Sequence, residues 1–407
     1  MHDEYNQQPV CVMHVDLNSA FATAEQQARP MLRGKPIAVV NRRIENTAIV
    51  AASYEAKALG VQVGMKVRQA RLLAPGLVCV ESDPVKYRFV YKKLLAILNS
   101  YSPNVTMKSI DEGVIDFRGA IDTRPLVEIG YEIKQRLKEE IGCVMRCNVG
   151  ISTNRFLAKT AAGLHKPDGL DVITHENLRD VMSTLKLRDL TGIARHNEAR
   201  LNSVGITTPL QFLDADPVTL EKMVFKSVVG RQWHQRLRGW EVDDRVFGIK
   251  RVGRQFVLDS RNLTQKEIMQ RLHHLCEAVG ARLRSQHKAA RGVYVYAKTI
   301  DRRYWHASRM SQLPFYSDAT LYQLAASLFQ GAPNGIREIG VHCYELCDGD
   351  MSQMSLFADT LVREHHLVQA ADAINQRFGD RTVHSADTLE AGHVVKQKIP
   401  FGSTRYL

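Results

Sequence analysis

Carboxylates that interrupt short apolar runs are the feature that most restricts the fold of this chain. Residues 10–15 are largely apolar and lead directly to Asp16, and a second run, 109–117, carries Asp111 and Glu112 at a predicted tight bend. Apolar runs of this length are typical of buried strands. A carboxylate at the end of such a strand is costly to bury unless it is paired or meets a cation. We therefore expect a sheet on which these three acids converge.

Convergence of the three acids would have a chemical consequence. Three neighbouring carboxylates repel one another, and a divalent cation resolves that repulsion. A site with only oxygen ligands selects Mg²⁺ or Mn²⁺ over Zn²⁺. The alternative is that each acid is an ordinary surface residue at the end of a strand, and the local pattern alone leaves this open.

The order of predicted elements indicates an α+β fold with several domains. The first 175 residues mix strands and helices without strict strand-helix-strand order, which favours a mixed or antiparallel sheet backed by helices. Residues 176–243 look all-helical, and a charged linker follows at 241–250. From 251 to 346 the order is strand, helix, strand, strand, helix, strand, which predicts one small βαββαβ sandwich. Apolar periodicity predicts individual elements at 84–101, 125–141 and 154–163 (helices) and at 143–151 (strand).

Positive charge is concentrated in one part of the 407-residue chain. The net charge is +12, and residues 245–337 alone contain sixteen Lys or Arg against five Asp or Glu. Such concentration is typical of a protein that binds a polyanion. A solvated basic face without a partner is the alternative, and a membrane surface fits less well because the region is not one amphipathic helix.

Targeting signals and cysteines add little. There is no run of eighteen apolar residues, and residues 1–9 are polar and lack a signal-peptide core, so we expect a cytosolic protein. Seven cysteines include two CxxxC pairs, Cys143/Cys147 and Cys343/Cys347. These could form a zinc site only if the pairs converge, and the alternative is that they are buried thiols.

Five segments occur in the order and spacing of one enzyme family. They are residues 15–22 (VDLNSAFA) with Glu25 and 34–36 (GKP), 53–61 (SYEAKALGV), 109–112 (SIDE), 150–159 (GISTNRFLAK) and 166–169 (KPDG). Over roughly residues 10–345 the chain resembles the Y-family DNA polymerases, and it is most similar to their DinB-like, polymerase IV branch. The resemblance implies a template-directed, low-fidelity polymerase that copies damaged DNA.

The resemblance also implies the domain organisation of a right hand. It divides the chain into a palm (1–20 and 75–175), fingers (21–74), a helical thumb (176–243), a little finger (244–346) and a tail (347–407).

Residue roles are implied in the same way. Asp16, Asp111, Glu112 and the backbone carbonyl of Leu17 would hold two Mg²⁺ ions, with Mn²⁺ as a substitute. Phe21 falls where the family keeps an aromatic steric gate against the sugar 2′-hydroxyl. Binding of the deoxynucleoside triphosphate is expected from Tyr54, Lys57, Lys166 and either Arg42 or Arg43. At position 57, lysine stands where we would expect arginine, which removes a bidentate fork.

Two further surfaces are implied by the resemblance. Arg251, Arg254 and Arg303 are candidates for contacts with the backbone of primer-template DNA. Residues 353–357 (QMSLF) resemble a bacterial sliding-clamp-binding peptide, in which Gln353 anchors one end and Leu356 and Phe357 fill an apolar pocket. We expect a monomer.

Three other functions are compatible with parts of this pattern. One is a catalytically silent relative that only binds DNA, the second is a nucleotidyl cyclase on a similar sheet, and the third is a DNA-binding protein with purely structural acids. Retention of all three acids argues against the first, and the basic region and clamp-like peptide argue against the second.

Overall fold

Two compact units, divided at residue 245, make up the part of the chain that a computed structural model describes. The described residues are 4–120, 122–245, 248–258, 260, 262–349 and 359–394. The division falls inside the charged linker expected at 241–250. None of the helices in these ranges combines the length and the hydropathy needed to span a bilayer.

The strands and helices of the first unit alternate irregularly along the chain. Its strands are β1 (Val12–Leu17), β2 (Ile37–Val40), β3 (Ile49–Ala52), β4 (Val78–Glu81), β5 (Val105–Met107), β6 (Glu112–Asp116), β7 (Cys147–Ser152) and β8 (Leu170–Val172). Its helices are α1 (Ala20–Ala28), α2 (Tyr54–Ala58), α3 (Val67–Leu73), α4 (Pro84–Asn99), α5 (Leu126–Glu140), α6 (Arg155–Leu164), α7 (Leu178–Thr184), α8 (Arg195–Asn202), α9 (Pro209–Asp214), α10 (Pro217–Thr219) and α11 (Val229–Leu237). Short 3₁₀ turns at Pro30–Leu32 and Leu187–Asp189 and a π-helical turn at Leu220–Phe225 complete it.

The larger sheet of this unit has the order β5-β6-β1-β7-β8 and is antiparallel except for the β7–β8 pair. Helices α4 and α5 bury their apolar stripes on one face, as the sequence periodicity predicts. Helix α6 covers the other face. The central strand β1 therefore lies between two helical layers, and the α+β prediction is confirmed.

The tight turn predicted within residues 109–117 lies nearer the start of that run than the sequence indicates. We expected two strand pieces around a bend inside 109–117, but the residues from Glu112 to Asp116 form the single strand β6. The turn occupies residues 108–111 and joins β5 to β6. The hydroxyl of Ser109 accepts hydrogen bonds from the backbone N–H groups of Asp111 and Glu112, which fixes the turn at this position.

A second, three-stranded sheet of order β3-β2-β4 packs with α2 and α3 around small apolar residues. Residues 176–243 form helices around one apolar cluster that includes Phe212 and Trp233, as the all-helical pattern predicts.

The second unit has the predicted βαββαβ order. Its elements are β9 (Arg251–Val257), α12 (Gln265–Ser285), β10 (Lys288–Thr299), β11 (Tyr304–Phe315), α13 (Asp318–Phe329) and β12 (Ile336–Asp348), followed by α14 (Asp359–Phe378), a 3₁₀ turn (Ala386–Thr388) and α15 (Leu389–Val394). The sheet order is β11-β10-β12-β9. Alternate residues of its strands pack under α12 and α13.

The C-terminal segment is more structured than the sequence indicates. The pattern of residues 358–407 predicts one short helix, at about 361–378, but residues 359–394 form two helices within the second unit. Arg284 of α12 pairs with Asp372 of α14 at 2.6 Å. Glu277, also on α12, accepts a hydrogen bond from Thr388 at 2.9 Å.

All seven cysteines are free thiols. Cys147 and Cys343 are core residues, and burial raises the pKa of each to about 12. Cys143 is exposed and Cys347 is half-buried, so the interpretation as buried thiols fits one member of each CxxxC pair.

Candidate active site

The antiparallel ladder brings two of the predicted acids together. Asp16 on β1 lies opposite Glu112 on β6, and residues opposite each other in a ladder project to the same face. Asp111 is the last residue of the preceding turn, and its carbonyl oxygen accepts a hydrogen bond from the Leu17 N–H at 2.9 Å. Residues almost one hundred positions apart thus form one carboxylate group at the edge of the sheet.

The electrostatics of Asp111 reflect this convergence. Burial raises its pKa, and the negative charges of Asp16 and Glu112 raise it further, against a hydrogen bond from Ser109 at 2.5 Å. Mutual repulsion among three carboxylates, together with an oxygen-only donor set, fits a hard divalent cation.

The side chains of His14 and Lys159 hold the Glu112 carboxylate in place. Burial opposes its ionisation, but hydrogen bonds from His14 at 3.3 Å and Lys159 at 2.7 Å outweigh that effect and lower its pKa to about 2. Glu112 therefore stays ionised across the physiological range. Sequence reasoning assigned no role to either donor. The period-two alternation of a strand places His14 on the same face as Asp16, and this signal could have revealed it.

Lys159 reaches Glu112 because helix α6, which carries this lysine, packs very closely against β7. A Cβ atom on Gly150 would lie 2.0 Å from the carbonyl oxygen of Ala158 and 2.2 Å from the N–H of Ala162. Gly150 is the register partner of His14. Only glycine at position 150 permits this close packing, which places Lys159 within hydrogen-bond distance of the Glu112 carboxylate.

Asp16 forms an ion pair with Lys166, which lies 150 residues further along the chain. An asparagine pair fixes the loop that carries this lysine. Asn18 donates to Asn148 at 2.8 Å, and its own side-chain oxygen accepts a hydrogen bond from the backbone N–H of Asp168 at 2.8 Å. Both asparagines are buried. They are functional candidates that the sequence pattern did not identify.

The remaining residues predicted to bind the triphosphate lie beside the same carboxylate. Lys57 donates to Ser19 at 2.7 Å and lies 4.7 Å from the ring centre of Tyr54. Burial lowers the pKa of Lys57 and the charge of Lys166 lowers it further, while Asp16 opposes both. The structure thus gathers Tyr54, Lys57 and Lys166 next to Asp16. Arg42 is half-buried in the loop between β2 and β3.

Phe21 lies in the first turn of α1, shortly after Leu17. It is 6% exposed, and its ring stacks on Tyr87 with centroids 4.2 Å apart and planes 8° apart. Tyr87 in turn donates a hydrogen bond to the buried Glu25 at 2.9 Å. The ring is therefore held rigidly, which a steric gate requires and which core packing also produces.

Within the described ranges, no group of three or more His, Cys, Asp or Glu side chains is arranged to hold a metal ion as it stands. Amines engage the carboxylates instead, with Lys166 on Asp16 and Lys159 on Glu112.

The candidate DNA-contact residues occupy different places on the second unit. Arg251 is exposed on the sheet face that lies away from α12 and α13, and Arg303 is exposed in the turn between β10 and β11, 2.5 Å from Asp301. Arg254 belongs to the helix-covered face, where burial and then the charge of Arg282 lower its pKa to about 10. The proposed clamp-binding peptide, residues 353–357, lies outside the described residues.

Carboxylates on a central antiparallel strand pair, with lysines directed at them, define a site suited to metal-assisted phosphoryl transfer. The impB/mucB/samB family model matches residues 15–163, and the model of that family's C-terminal domain matches residues 249–356.

Relatives at the whole-chain level agree with this match. DNA polymerase IV of Moorella thermoacetica is 34% identical, with 94% of this chain and 97% of the relative covered. DNA polymerase IV 1 of Halalkalibacterium halodurans is 30% identical, with 93% of each chain covered. A solved Y-family DNA polymerase chimera of Dbh and Dpo4 has the same fold, with a TM-score of 0.71 at 24% identity over 83% of this chain and 99% of the other. The chain belongs to the Y family of DNA polymerases, in its DNA polymerase IV branch.

Proposed function

We propose that this chain extends a DNA primer at the carboxylate site formed by Asp16, Asp111 and Glu112. As a Y-family member the chain is a DNA-directed DNA polymerase of the translesion class, a metal-dependent nucleotidyltransferase that binds DNA and deoxynucleotides. The proposal concerns which residues carry out this activity and which ions and partners they use.

We propose two Mg²⁺ ions as the cofactors, with Mn²⁺ as a substitute. Asp16, Asp111, Glu112 and the carbonyl of Leu17 would hold them. Bound there, the ions would lower the pKa of the primer 3′-hydroxyl and stabilise charge at the α-phosphate during the displacement. The convergence of the three carboxylates supports this assignment best. Burial, and then the negative charges of Asp16 and Glu112, raise the pKa of Asp111, and a cation between the acids would offset that repulsion.

The lysines have a second task in this scheme. Lys57, Lys166 and Tyr54 would bind the β- and γ-phosphates of the incoming nucleotide, with Arg42 as a further candidate. Their charges would orient the triphosphate and stabilise the pyrophosphate that leaves. Lys159 and His14 would keep Glu112 ionised and correctly directed.

Phe21 would exclude ribonucleotides. Its ring, which stacks on Tyr87, would leave no room for an additional oxygen on the sugar of a nucleotide bound beside Asp16. The rigid packing of the ring supports this role.

We further propose the palm, fingers, thumb and little-finger boundaries given above, with residues 347–407 as a C-terminal extension. Arg251, Arg303 and Arg254 would contribute to binding the DNA backbone, with Arg251 and Arg303 better exposed for direct contact. Binding of a sliding clamp through Gln353, Leu356 and Phe357, a monomeric state and residence in the bacterial cytosol complete the proposal.

Primer extension with Mg²⁺ tests the assignment. Asp111→Asn should abolish extension while DNA binding persists, because the amide retains the volume of the carboxylate but loses its charge. Asp122→Asn, which changes an acid outside the site, is the matched control and should extend the primer normally. An active Asp111→Asn protein would contradict the proposed ligand set, and an inactive wild-type protein that binds DNA would favour the silent accessory relative.

A further inference from the structure

The chain does not leave the first unit where α11 ends. Residues 238–243, which we call the α11 extension, lie against the residues that begin α6. The carbonyl oxygen of Gly239 accepts hydrogen bonds from the side chains of Asn6 at 3.0 Å and Thr153 at 2.8 Å. Gly239 has a φ of +88°, and a Cβ atom there would lie 2.7 Å from the Thr153 hydroxyl. Glycine therefore permits the extension to lie directly against the residue that follows β7.

The residue that caps α6 is bonded to this extension. The side-chain oxygen of Asn154 accepts a hydrogen bond from the Leu157 N–H at 2.8 Å, which caps the helix. Its side-chain nitrogen donates to the carbonyl oxygens of Arg236 at 2.8 Å and Trp240 at 2.9 Å. Asn154 is 1% exposed. An aspartate could cap the helix but could not donate, so the amide joins the start of α6 to the chain that leaves α11.

Glu241 makes a second contact with the start of α6, across 86 residues of sequence. Its carboxylate accepts a hydrogen bond from the backbone N–H of Arg155 at 3.1 Å and lies 3.0 Å from the guanidinium of the same residue. The amino end of a helix carries partial positive charge and favours an acid at this point. The Glu241 and Arg155 side chains are only 9% and 13% exposed. The pair is therefore shielded from solvent and holds the first turn of α6.

Arg155 also joins α6 to the strand that carries Glu112. Its guanidinium lies 3.3 Å from the carboxylate of Asp116, the last residue of β6. Lys159 follows Arg155 by about one helical turn, and Glu112 precedes Asp116 by four residues, which places each pair on one face of its element. Helix α6 and strand β6 are thus joined by two ion pairs, Arg155–Asp116 and Lys159–Glu112, the second at 2.7 Å. A shift of the first turn of α6 would therefore move both pairs.

We propose that Glu241 is a positioning residue for the polymerase reaction. By holding Arg155 it fixes the start of α6, and Lys159 one turn later stays directed at Glu112. Among the described residues, the Glu241 carboxylate is bonded to Arg155 and to the Asp243 N–H, so its effect on Glu112 passes through α6. The inference rests on the proposed function for the role of Glu112. A residue that only stabilised the fold would change the free energy of unfolding and leave the rate constant of the folded enzyme unaltered.

Steady-state kinetics of single-nucleotide primer extension by the full-length chain tests this proposal. Glu241→Ala should lower kcat by about 10-fold, because a displacement of Lys159 by a fraction of an ångström costs part of the ~100-fold that a misplacement of about 1 Å can cost. The KM for the deoxynucleotide and the affinity for primer-template DNA should change by less than about 2-fold, because the residues assigned to both ligands are retained. Asp244→Ala removes an exposed carboxylate from the same stretch of chain and is the matched control, with wild-type kinetics expected.

Two further variants separate positioning from general damage. Glu241→Gln keeps an oxygen that can accept the Arg155 N–H, and it should stay within about 3-fold of the wild-type kcat because only the charge is lost. Arg155→Lys cannot hold Asp116 and Glu241 with two separate arms, and it should repeat the loss of kcat seen in Glu241→Ala.

Hydrogen exchange followed by mass spectrometry gives a readout that needs no catalysis. Glu241→Ala should exchange faster than the wild-type protein at residues 154–160, with no change at residues 126–140 of α5. Wild-type kcat in Glu241→Ala, unaltered exchange at the start of α6, or an equal loss of kcat in Asp244→Ala or Glu241→Gln would overturn the proposal. The exchange result reports on Glu241 even where an active Asp111→Asn protein overturns the proposed ligand set.

Discussion

Replacement of Gly150 by alanine is the sharpest test of how the fold positions the active site. The new methyl carbon would lie 2.0 Å from the carbonyl oxygen of Ala158, where ordinary contacts begin at 3.4 Å. Both partners are backbone, so α6 has to retreat from β7 by about 1.4 Å, the difference between those distances. Overpacking typically costs about 1–3 kcal/mol, and a backbone clash of this depth belongs at the upper end, ~3 kcal/mol.

The same displacement should reach the carboxylates. The hydrogen bond from Lys159 to Glu112 is 2.7 Å long, and a retreat of more than 1 Å would break it. A misplacement of about 1 Å can cost on the order of 100-fold in rate, so we expect kcat/KM for primer extension to fall by about that factor. The substitution itself replaces none of the proposed metal ligands, lysines or nucleotide-binding residues.

Gly163→Ala is the matched control, because it makes the same substitution in α6 where a Cβ atom would have nothing within 4 Å. Alanine is favoured over glycine in a helix, so this variant should gain a few tenths of a kcal/mol and keep full activity. Urea denaturation followed by circular dichroism gives the free energies of unfolding, and primer extension gives the rates. A Gly150→Ala protein as stable and as active as Gly163→Ala would refute the close-approach argument.

Three further outcomes are expected. Phe21→Ala should admit ribonucleotides in single-nucleotide incorporation assays. Val90→Ala changes another residue that lines the same small cavity and should keep the wild-type preference for deoxynucleotides. Unchanged sugar discrimination in Phe21→Ala would exclude Phe21 as the steric gate. Lys57→Arg restores a bidentate fork and should lower the KM for deoxynucleotides several-fold with little change in kcat, and a raised KM would contradict a phosphate contact. Burial of Asp116 is outweighed by its hydrogen bonds from Arg118, which lower the pKa of the carboxyl. Its contribution to stability is therefore present above the ordinary carboxyl pKa of about 4 and is lost as the pH falls below it. The difference in unfolding free energy between the wild-type protein and Asp116→Asn should accordingly shrink on acidification, and a pH-independent difference would be incompatible with that assignment.

Local pattern predicted those parts of the fold in which one apolar face determines the element. Helices α4 and α5 and the βαββαβ order of the second unit follow from periodicity and caps, and their bounds agree with the sequence to within a few residues. The turn before β6 was misplaced because the Ser109 hydroxyl fixes it by accepting hydrogen bonds from the backbone N–H groups of Asp111 and Glu112, and apolar periodicity does not indicate such bonds. The docking of the segment after residue 359 was not predicted, because Thr388 and Asp372 reach Glu277 and Arg284 of α12 through polar contacts that apolar periodicity does not indicate.

The candidate site likewise contains residues that the sequence indicated and residues that only the structure revealed. The three acids were found because each interrupts an apolar strand or turn. Their partners were harder to find, since the pairing of Asp16 with Lys166 joins residues far apart in the chain. His14 sits in a strand that reads as simply apolar, and only its alternation with Asp16 indicates its position beside Glu112.

The binding stoichiometry of Mn²⁺ measured by electron paramagnetic resonance, with primer-template DNA and a deoxynucleotide present, tests the central claim most directly. The account predicts two bound ions per wild-type chain and loss of both strong sites in Asp111→Asn, with Asp122→Asn unchanged. The same number of tightly bound ions in Asp111→Asn as in the wild-type protein would contradict it.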